Sequence, residues 1–485
     1  SLWRSNTYLA FYKNKTERSK PMNNTYHDLV NQTFYFPQEG FGLEENKLLF
    51  HGIKLYDLLE KYGTPLKLVY LPKISDQIRK AKNYFETAIF QLHYTGKYNY
   101  TYCTKSSHFR YVLEEVLKND VHLETSSAFD IDLIWKLHSE GLVPKDKIIV
   151  NNGFKNDSYI RRICGMIQSE FTNIIPVMDN RDELEIFQKY LGDQIFDIGL
   201  RVATEEEPHF EFYTSRLGIR KSEIINYYIE KVKPSENVRL KMLHFFVDTG
   251  IKDNIYYWDE LRKGIKTYCE LKKLCPTLEA INIGGGLPIK NSLGFEYDYG
   301  YMILEIVRQI RDACAENEIP EPDIYTEFGK YTVGESGAHF FSVIGQKQQN
   351  DNEWWYMVDN SVMNTLPDAW GINEHFILLP INHWDRDYKR VNIGGLSCDN
   401  SDYYNSEAHS NQVYLPAVRK DEKLYLGFFH SGAYQDALSG YGGIKHCLLP
   451  SPKHVLIDKD QDGNLIDWVW ANDQDSESML KILGY

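Results

Sequence analysis

The feature that most constrains this chain is an alternation repeated along its middle. From residue 98 to about 335, short apolar runs of strand character take turns with amphipathic helical segments. The strand-like runs are "YTYCTK", "VHLETS", "KIIVNNG", "IIPVMD", "DIGLRVA", "LKMLHFFV", "EAINIGGG" and "DIYTEFGK". Between them lie helical patterns such as "SAFDIDLIWKLHSEG" and "GYMILEIVRQIRDACAENE". Eight strands, each backed by a helix, predict a (β/α)8 barrel rather than an open sheet. An earlier unit, "GTPLKLVYL" plus "ISDQIRKAKNYFETAI", leads into it. After about residue 336 the texture changes to short alternating runs separated by turn residues, among them "EWWYMVDNSV" and "EKLYLGFFHSGAY". These predict an antiparallel β domain. The expected division is an N-terminal segment 1–64 adding to the β domain, a barrel over 65–335, and the β domain over 336–485.

In a barrel of this kind the chemistry sits at the carboxyl ends of the strands. That is where polar residues accumulate: Lys105, Glu124, Asn151 and Asn152, then Arg201, His244, Gly284–Gly286 and Glu327. In "YNYTYCTKSS", Tyr98, Tyr100, Tyr102 and Thr104 share one face, and Asn99, Thr101, Cys103 and Lys105 the other. The large rings suit packing under helices, and the small polar face ends on an ammonium. Two readings of Lys105 stand side by side: an ion pair with Glu124 or Glu327, or a Schiff-base lysine whose partly desolvated amine attacks an aldehyde. The natural aldehyde is pyridoxal 5'-phosphate (PLP), which needs a phosphate cradle and a group governing its ring nitrogen. The glycines of "INIGGGLP" suit the cradle, because bare backbone lets N–H groups approach phosphate oxygens. Glu327 suits the ring nitrogen, with an ion pair inside the mouth as its alternative. In "GGLSCDNSD", a thiol beside two carboxylates, Asp399 and Asp402, suits a proton donor better than a nucleophile, or else Cys398 is a buried apolar residue.

Other signals bound the function. The formal net charge of −14 argues against a nucleic-acid or anionic-membrane partner. The seven cysteines are scattered without CxxC, which argues against a disulfide framework or structural zinc. The histidines show no HExxH and no paired spacing for a catalytic metal. No apolar run is long enough to span a bilayer and no signal peptide is read, so the expected location is cytoplasmic. "DKDQDGNLIDWV" begins like a calcium loop but has Val469 where the bidentate acid belongs, so a hairpin turn through Asp462 and Gly463 is expected. The Asn-x-Thr triplets at Asn14, Asn23 and Asn31 carry little weight without secretion.

Taken in order, "YCTKSS", "HLETSSAFDIDLI", "IIVNNGFKNDSYIRR", "TSRLGI", "AINIGGGL", "LPDAWGINEHFILLPI", "SCDNSD" and "LGFFHSGAYQDALSG" resemble the fold-type III PLP-dependent decarboxylases. These share the alanine racemase-like fold, and the likeness is closest to the biosynthetic arginine decarboxylases. It runs from about residue 60 to 470. The resemblance implies a set of roles. Lys105 is the PLP-binding lysine, Gly284, Gly285 and Gly286 the phosphate loop, Tyr434 a further phosphate contact, and Glu327 the carboxylate on the ring nitrogen. Glu124, Arg201, Phe246, Thr249 and Lys330 fall around the same cofactor. Asp368 and Asp399 hold a distal basic group, and Cys398 reprotonates the α-carbon. Such enzymes are homodimers with composite sites, Cys398 and Asp399 entering from the other subunit and Arg216 a partner for Asp402 at the interface. The implied function is decarboxylation of a basic L-amino acid, arginine to agmatine and carbon dioxide in polyamine biosynthesis. The alternatives are ornithine, lysine or diaminopimelate as substrate, or a non-catalytic homologue regulating a true decarboxylase.

The sequence departs from the family pattern in three places. Phe246 stands where a histidine stacks on the cofactor ring, with Asp248 and Thr249 where glycine and serine are usual. Lys330 in "EFGK" replaces a phosphate-clamping arginine, keeping the charge but not the bidentate fork. The inserted helical segment of the arginine branch is not found.

Overall fold

A computed structural model describes residues 24–485 apart from 170, 206–211 and 405–412. Asn14 and Asn23 themselves lie outside the described residues. Eight parallel strands form the barrel: β1 Tyr98–Cys103, β2 His122–Thr125, β3 Ile149–Asn151, β4 Ile174–Met178, β5 Phe196–Ala203, β6 Val238–His244, β7 Ala280–Asn282 and β8 Asp323–Phe328. β1 pairs with both β2 and β8, and β5 pairs with both β4 and β6, which closes the ring without an edge. Parallel neighbours require a crossover, and each crossover carries helical residues.

The outer faces of the strands pack under those helices. Tyr100 and Tyr102 are buried there, and Tyr98 stacks on Phe85 of helix Pro72–Leu92 with ring centroids 4.0 Å apart. Short polar residues start the helices: Asn156, Asn254 and Asp298 each accept a backbone N–H from the residue three positions on. The inner faces follow the period of two. Val150, Val177, Met242, Ala280 and Tyr325 form an apolar floor inside the ring. Two residues further along the same strands stand Asn152, Asp179, His244, Asn282 and Glu327, all buried. Sequence alternation thus places a polar layer directly above an apolar one.

The second domain is a mixed sheet rather than a purely antiparallel one. Its spine is the strand Gly337–Asn350, whose first half lies between Leu66–Tyr70 and Tyr425–Phe429 and whose second half pairs with Glu353–Val358. Two pairings are parallel, Leu66–Tyr70 with Lys453–Lys459 and Glu353–Val358 with Tyr388–Gly394. Leu66–Tyr70, which the sequence reading counts with the barrel segment, is therefore an inner strand of this sheet. Its five residues are all buried, which suits a central position better than a lead-in. Phe41–Glu44, Lys47–Phe50 and Ile53–Lys54 form a small sheet of their own, packed on the core of the second domain. The hairpin Lys453–Lys459 to Leu465–Ala471 turns as expected, with Asp460 accepting from the Asp462 and Asn464 amides.

One polar cluster is sealed inside this domain. Lys67 is buried and ion-paired with Asp436. In the sheet its register neighbours are His339 on one side and His454 on the other. His339 Nδ1 bonds the Ser431 hydroxyl at 2.7 Å, and His454 Nε2 bonds the Tyr111 hydroxyl at 2.7 Å. Burial, then the Lys67 charge, pushes His339 down to about 3 and His454 well below its ordinary value. Both rings stay neutral in the fold while an exposed histidine protonates near 6.5. Stability is therefore complete above about pH 6.5 and is lost as pH falls through the depressed folded values. The urea midpoint is expected to fall on acidification below about pH 6. His339→Gln should flatten that decline, and an unaltered slope in the variant would show that the sealed cluster is not its source.

Candidate active site

The polar layer opens into a cavity of about 690 Å³ at the carboxyl ends of the strands. Lys105, in the single turn Thr104–Ser106 after β1, reaches it from one side, and Glu327 at the end of β8 from the next strand. Arg201, Phe246, Thr249, Gly285, Gly286 and Lys330 also line it. From the second domain come Tyr434 and Asp368. Glu124 is fully buried behind Lys105, and Gly284 is tied to the site by its carbonyl, which accepts the Glu327 N–H at 2.8 Å. Cys398 and Asp399 are not there. They lie on an exposed loop lining a separate depression of about 210 Å³ with Asp402. Asp402 is itself buried and accepts the backbone N–H groups of Met363 and Ser397 at 3.1 Å, so its carboxylate ties its own loop.

Two carboxylates share the wall, and their surroundings drive them apart. Glu327 accepts from Asn152 Nδ2 at 2.8 and 2.9 Å and from Asn282 Nδ2 at 2.8 Å. Burial pushes its carboxyl up, but His244, Lys105 and the two amides outweigh that and hold it below its ordinary value. His244 Nδ1 faces the Asn282 carbonyl at 3.2 Å, so this nitrogen carries the proton. Burial pushes His244 down to about 4, and its Nε2 stays 3.4 Å from Glu327. His244, the Lys105 charge and the two amides together keep Glu327 ionised. Glu124 has fewer donors: Lys105 Nζ at 3.3 Å and Asn152 Nδ2 at 3.2 Å. Burial pushes it up to about 7 against the pull of Lys105. Burial also pulls the Lys105 amine down, but Glu124 and then the other neighbouring groups prevail and keep it an ammonium. A carboxylate poised near neutrality thus touches an amine that must lose a proton before it can attack.

Sequence reasoning missed Asn282 and Glu374. Asn282 was legible, because it precedes Gly284 by two and so shares its face. Glu374 was not: it lies in the loop after helix Pro367–Ile372, and its ion pair with Lys330 at 2.9 Å depends on the tertiary fold. Lys330 therefore meets the cavity with its charge already answered by a neighbour.

The family model Pyridoxal-dependent decarboxylase, pyridoxal binding domain, matches residues 73–334. The chain belongs to the pyridoxal-dependent decarboxylases. It is a PLP-dependent carboxy-lyase of fold type III. It is 21% identical to a biosynthetic arginine decarboxylase of Prochlorococcus marinus, across 87% of this chain and 83% of that one. It is 22% identical to arginine decarboxylase 1, chloroplastic, of Arabidopsis thaliana, across 85% of this chain and 74% of that one. Among solved structures, the biosynthetic arginine decarboxylase of Campylobacter jejuni superimposes with a TM-score of 0.77 at 20% identity, covering 95% of this chain and 90% of that one. Diaminopimelate decarboxylase from M. jannaschii with L-lysine gives 0.74 at 19%, covering 90% and 95%.

The cavity fits PLP on its own terms. Arg201 Nε, Glu124 Oε2 and Asn152 Oδ1 are buried without a protein partner. Among the described residues the N–H groups of Gly285 and Gly286 have no protein acceptor either. Both positions exclude a side chain: a Cβ on Gly285 would stand 2.4 Å from the Glu327 carbonyl oxygen, and Gly286 has φ +94°. A Gly285→Ala variant should therefore lose the cofactor chromophore and about a hundredfold in turnover, the scale of an ångström-sized misplacement, with its far-ultraviolet circular dichroism retained. A variant retaining the wild-type chromophore would remove Gly285 from the cradle.

Proposed function

We propose that this enzyme decarboxylates L-arginine to agmatine and carbon dioxide, as a cytoplasmic homodimer serving polyamine biosynthesis. The observation that carries the substrate assignment is Asp368. Its carboxylate faces the cavity that holds Lys105 and Glu327, oriented by Gln435, which donates Nε2–H to Oδ2 at 2.8 Å and accepts the Asp368 N–H at 3.2 Å. Burial raises its pKa, and Glu374 adds to that, so an arriving cation would be welcomed there. A guanidinium satisfies such a carboxylate with charge-assisted hydrogen bonds. Diaminopimelate would bring a second carboxylate, and Lys330 is already neutralised by Glu374.

Bound PLP supplies the aldehyde for an amine and the sink for the electrons released when the carboxylate leaves. Lys105 presents the amine, and Glu124 Oε1 takes and returns its proton at Nζ. Glu327 holds the proton of the ring nitrogen, its ionisation maintained by Asn152 and Asn282. Gly285, Gly286, Thr249, Arg201, Lys330 and Tyr434 line the cavity and would hold the phosphate end, and Phe246 would offer the ring an apolar face. Cys398 returns a proton from Sγ to the α-carbon and Asp399 adds a second contact to the guanidinium. Their exposed loop, apart from this chain's own cavity, supports delivery to the cavity of a second copy.

Carbon dioxide release from arginine should exceed that from ornithine, lysine or diaminopimelate, and Lys105→Ala should abolish it. Greater release from another of these amino acids would replace the substrate assignment. Asp368→Asn should raise KM for arginine about 10- to 100-fold, the worth of one charged hydrogen bond, with kcat changed less.

A further inference from the structure

Cys398 has two neighbours that decarboxylation does not use. Cys447 Sγ lies 3.6 Å from Cys398 Sγ across 49 residues of sequence. A ring nitrogen of His446 completes a group whose three ligand atoms all lie within 4.8 Å of one another, on exposed side chains. At that separation the two sulfurs are in thiol–thiol hydrogen-bond contact, with no bond between them, since a disulfide requires about 2.05 Å. Two thiolates at about 2.3 Å from one tetrahedral zinc stand about 3.8 Å apart, so a shared ion needs little movement of either sulfur. Cys447 and Leu448 both have positive φ, 58° and 52°.

We propose that Cys398, Cys447 and His446 form a binding site for a zinc ion. Two sulfurs and one imidazole nitrogen select a borderline-soft ion over magnesium or calcium, and water fills the fourth tetrahedral position. On binding, each thiol releases its proton to solvent as its S–Zn bond forms, and the His446 nitrogen contributes a lone pair. The same event occupies the sulfur assigned to proton return, so zinc loading switches catalysis off. That consequence rests on the function proposed above, whereas the metal site does not.

The test uses the holoenzyme, freed of unbound PLP and kept reduced. About one zinc ion per chain should be retained against a chromophoric chelator. Cobalt in its place should give the intense visible bands of a tetrahedral thiolate site. Cys447→Ser and His446→Ala should each weaken binding by about a hundredfold or more, since even outer-shell partners are worth 10- to 100-fold. No retained zinc, or wild-type affinity in both variants, overturns the site. Zinc should inhibit carbon dioxide release by the wild type, with Cys447→Ser resistant. Equal inhibition of wild type and variant overturns the switch. An enzyme that loads zinc through these residues but releases no carbon dioxide even when metal-free leaves the site standing and removes the function proposed above.

Discussion

The structure depends on the closure of one ring of parallel strands. β1 is hydrogen-bonded to β2 on one side and to β8, from the far end of the barrel segment, on the other. That closure makes neighbours of Lys105, Glu124 and Glu327, which stand more than 200 positions apart at their extremes. With no free edge, side chains at alternate positions have only two destinations, the helices outside or the lumen. Everything at the lumen's open end must then be reconciled at close quarters: two carboxylates, a guanidinium and an imidazole in one buried layer, with an ammonium at its rim.

That reconciliation is chemical rather than steric. An isolated buried charge would cost several kcal/mol, far more than any single hydrogen bond returns. Glu327 is made tolerable by two side-chain amides, which are neutral donors and leave the carboxylate charged. Glu124 is left partly unsatisfied and drifts toward neutrality. Two side chains of the same type thereby acquire different duties from their donors and neighbouring charges. An amide can support a carboxylate without neutralising it, which a lysine or arginine at the same place would not do.

Much of this was legible in the sequence because it rests on period. The eight strands, the inward lysine and the polar residues at the strand ends follow from alternation within short segments, and the tyrosines of β1 fall on the helical side as their spacing requires. The same rule would have found Asn282. What escaped has long-range causes. The Lys330–Glu374 pair, the Lys67–Asp436 cluster between two histidines, and the apposition of Cys398 with Cys447 each join segments whose proximity no local pattern encodes. The parallel pairings of the second sheet were hidden too, since alternation reports which face a residue occupies and not which strand lies beside it.

The place of Leu66–Tyr70 has a consequence for how the molecule comes into being. It is synthesised before the barrel, yet its two partners, Gly337–Asn350 and Lys453–Lys459, are made after it. The barrel is therefore a loop, in the topological sense, inserted into a sheet whose first inner strand must wait for nearly the whole chain to leave the ribosome. Such pairing across long separations is slow to form, and a strand with one wholly apolar face, Leu66, Leu68 and Tyr70, is prone to aggregation while it waits. The fold therefore ties the completion of its second domain to the prior synthesis of its first, with the burden of that delay falling on whatever shields a nascent, largely hydrophobic strand.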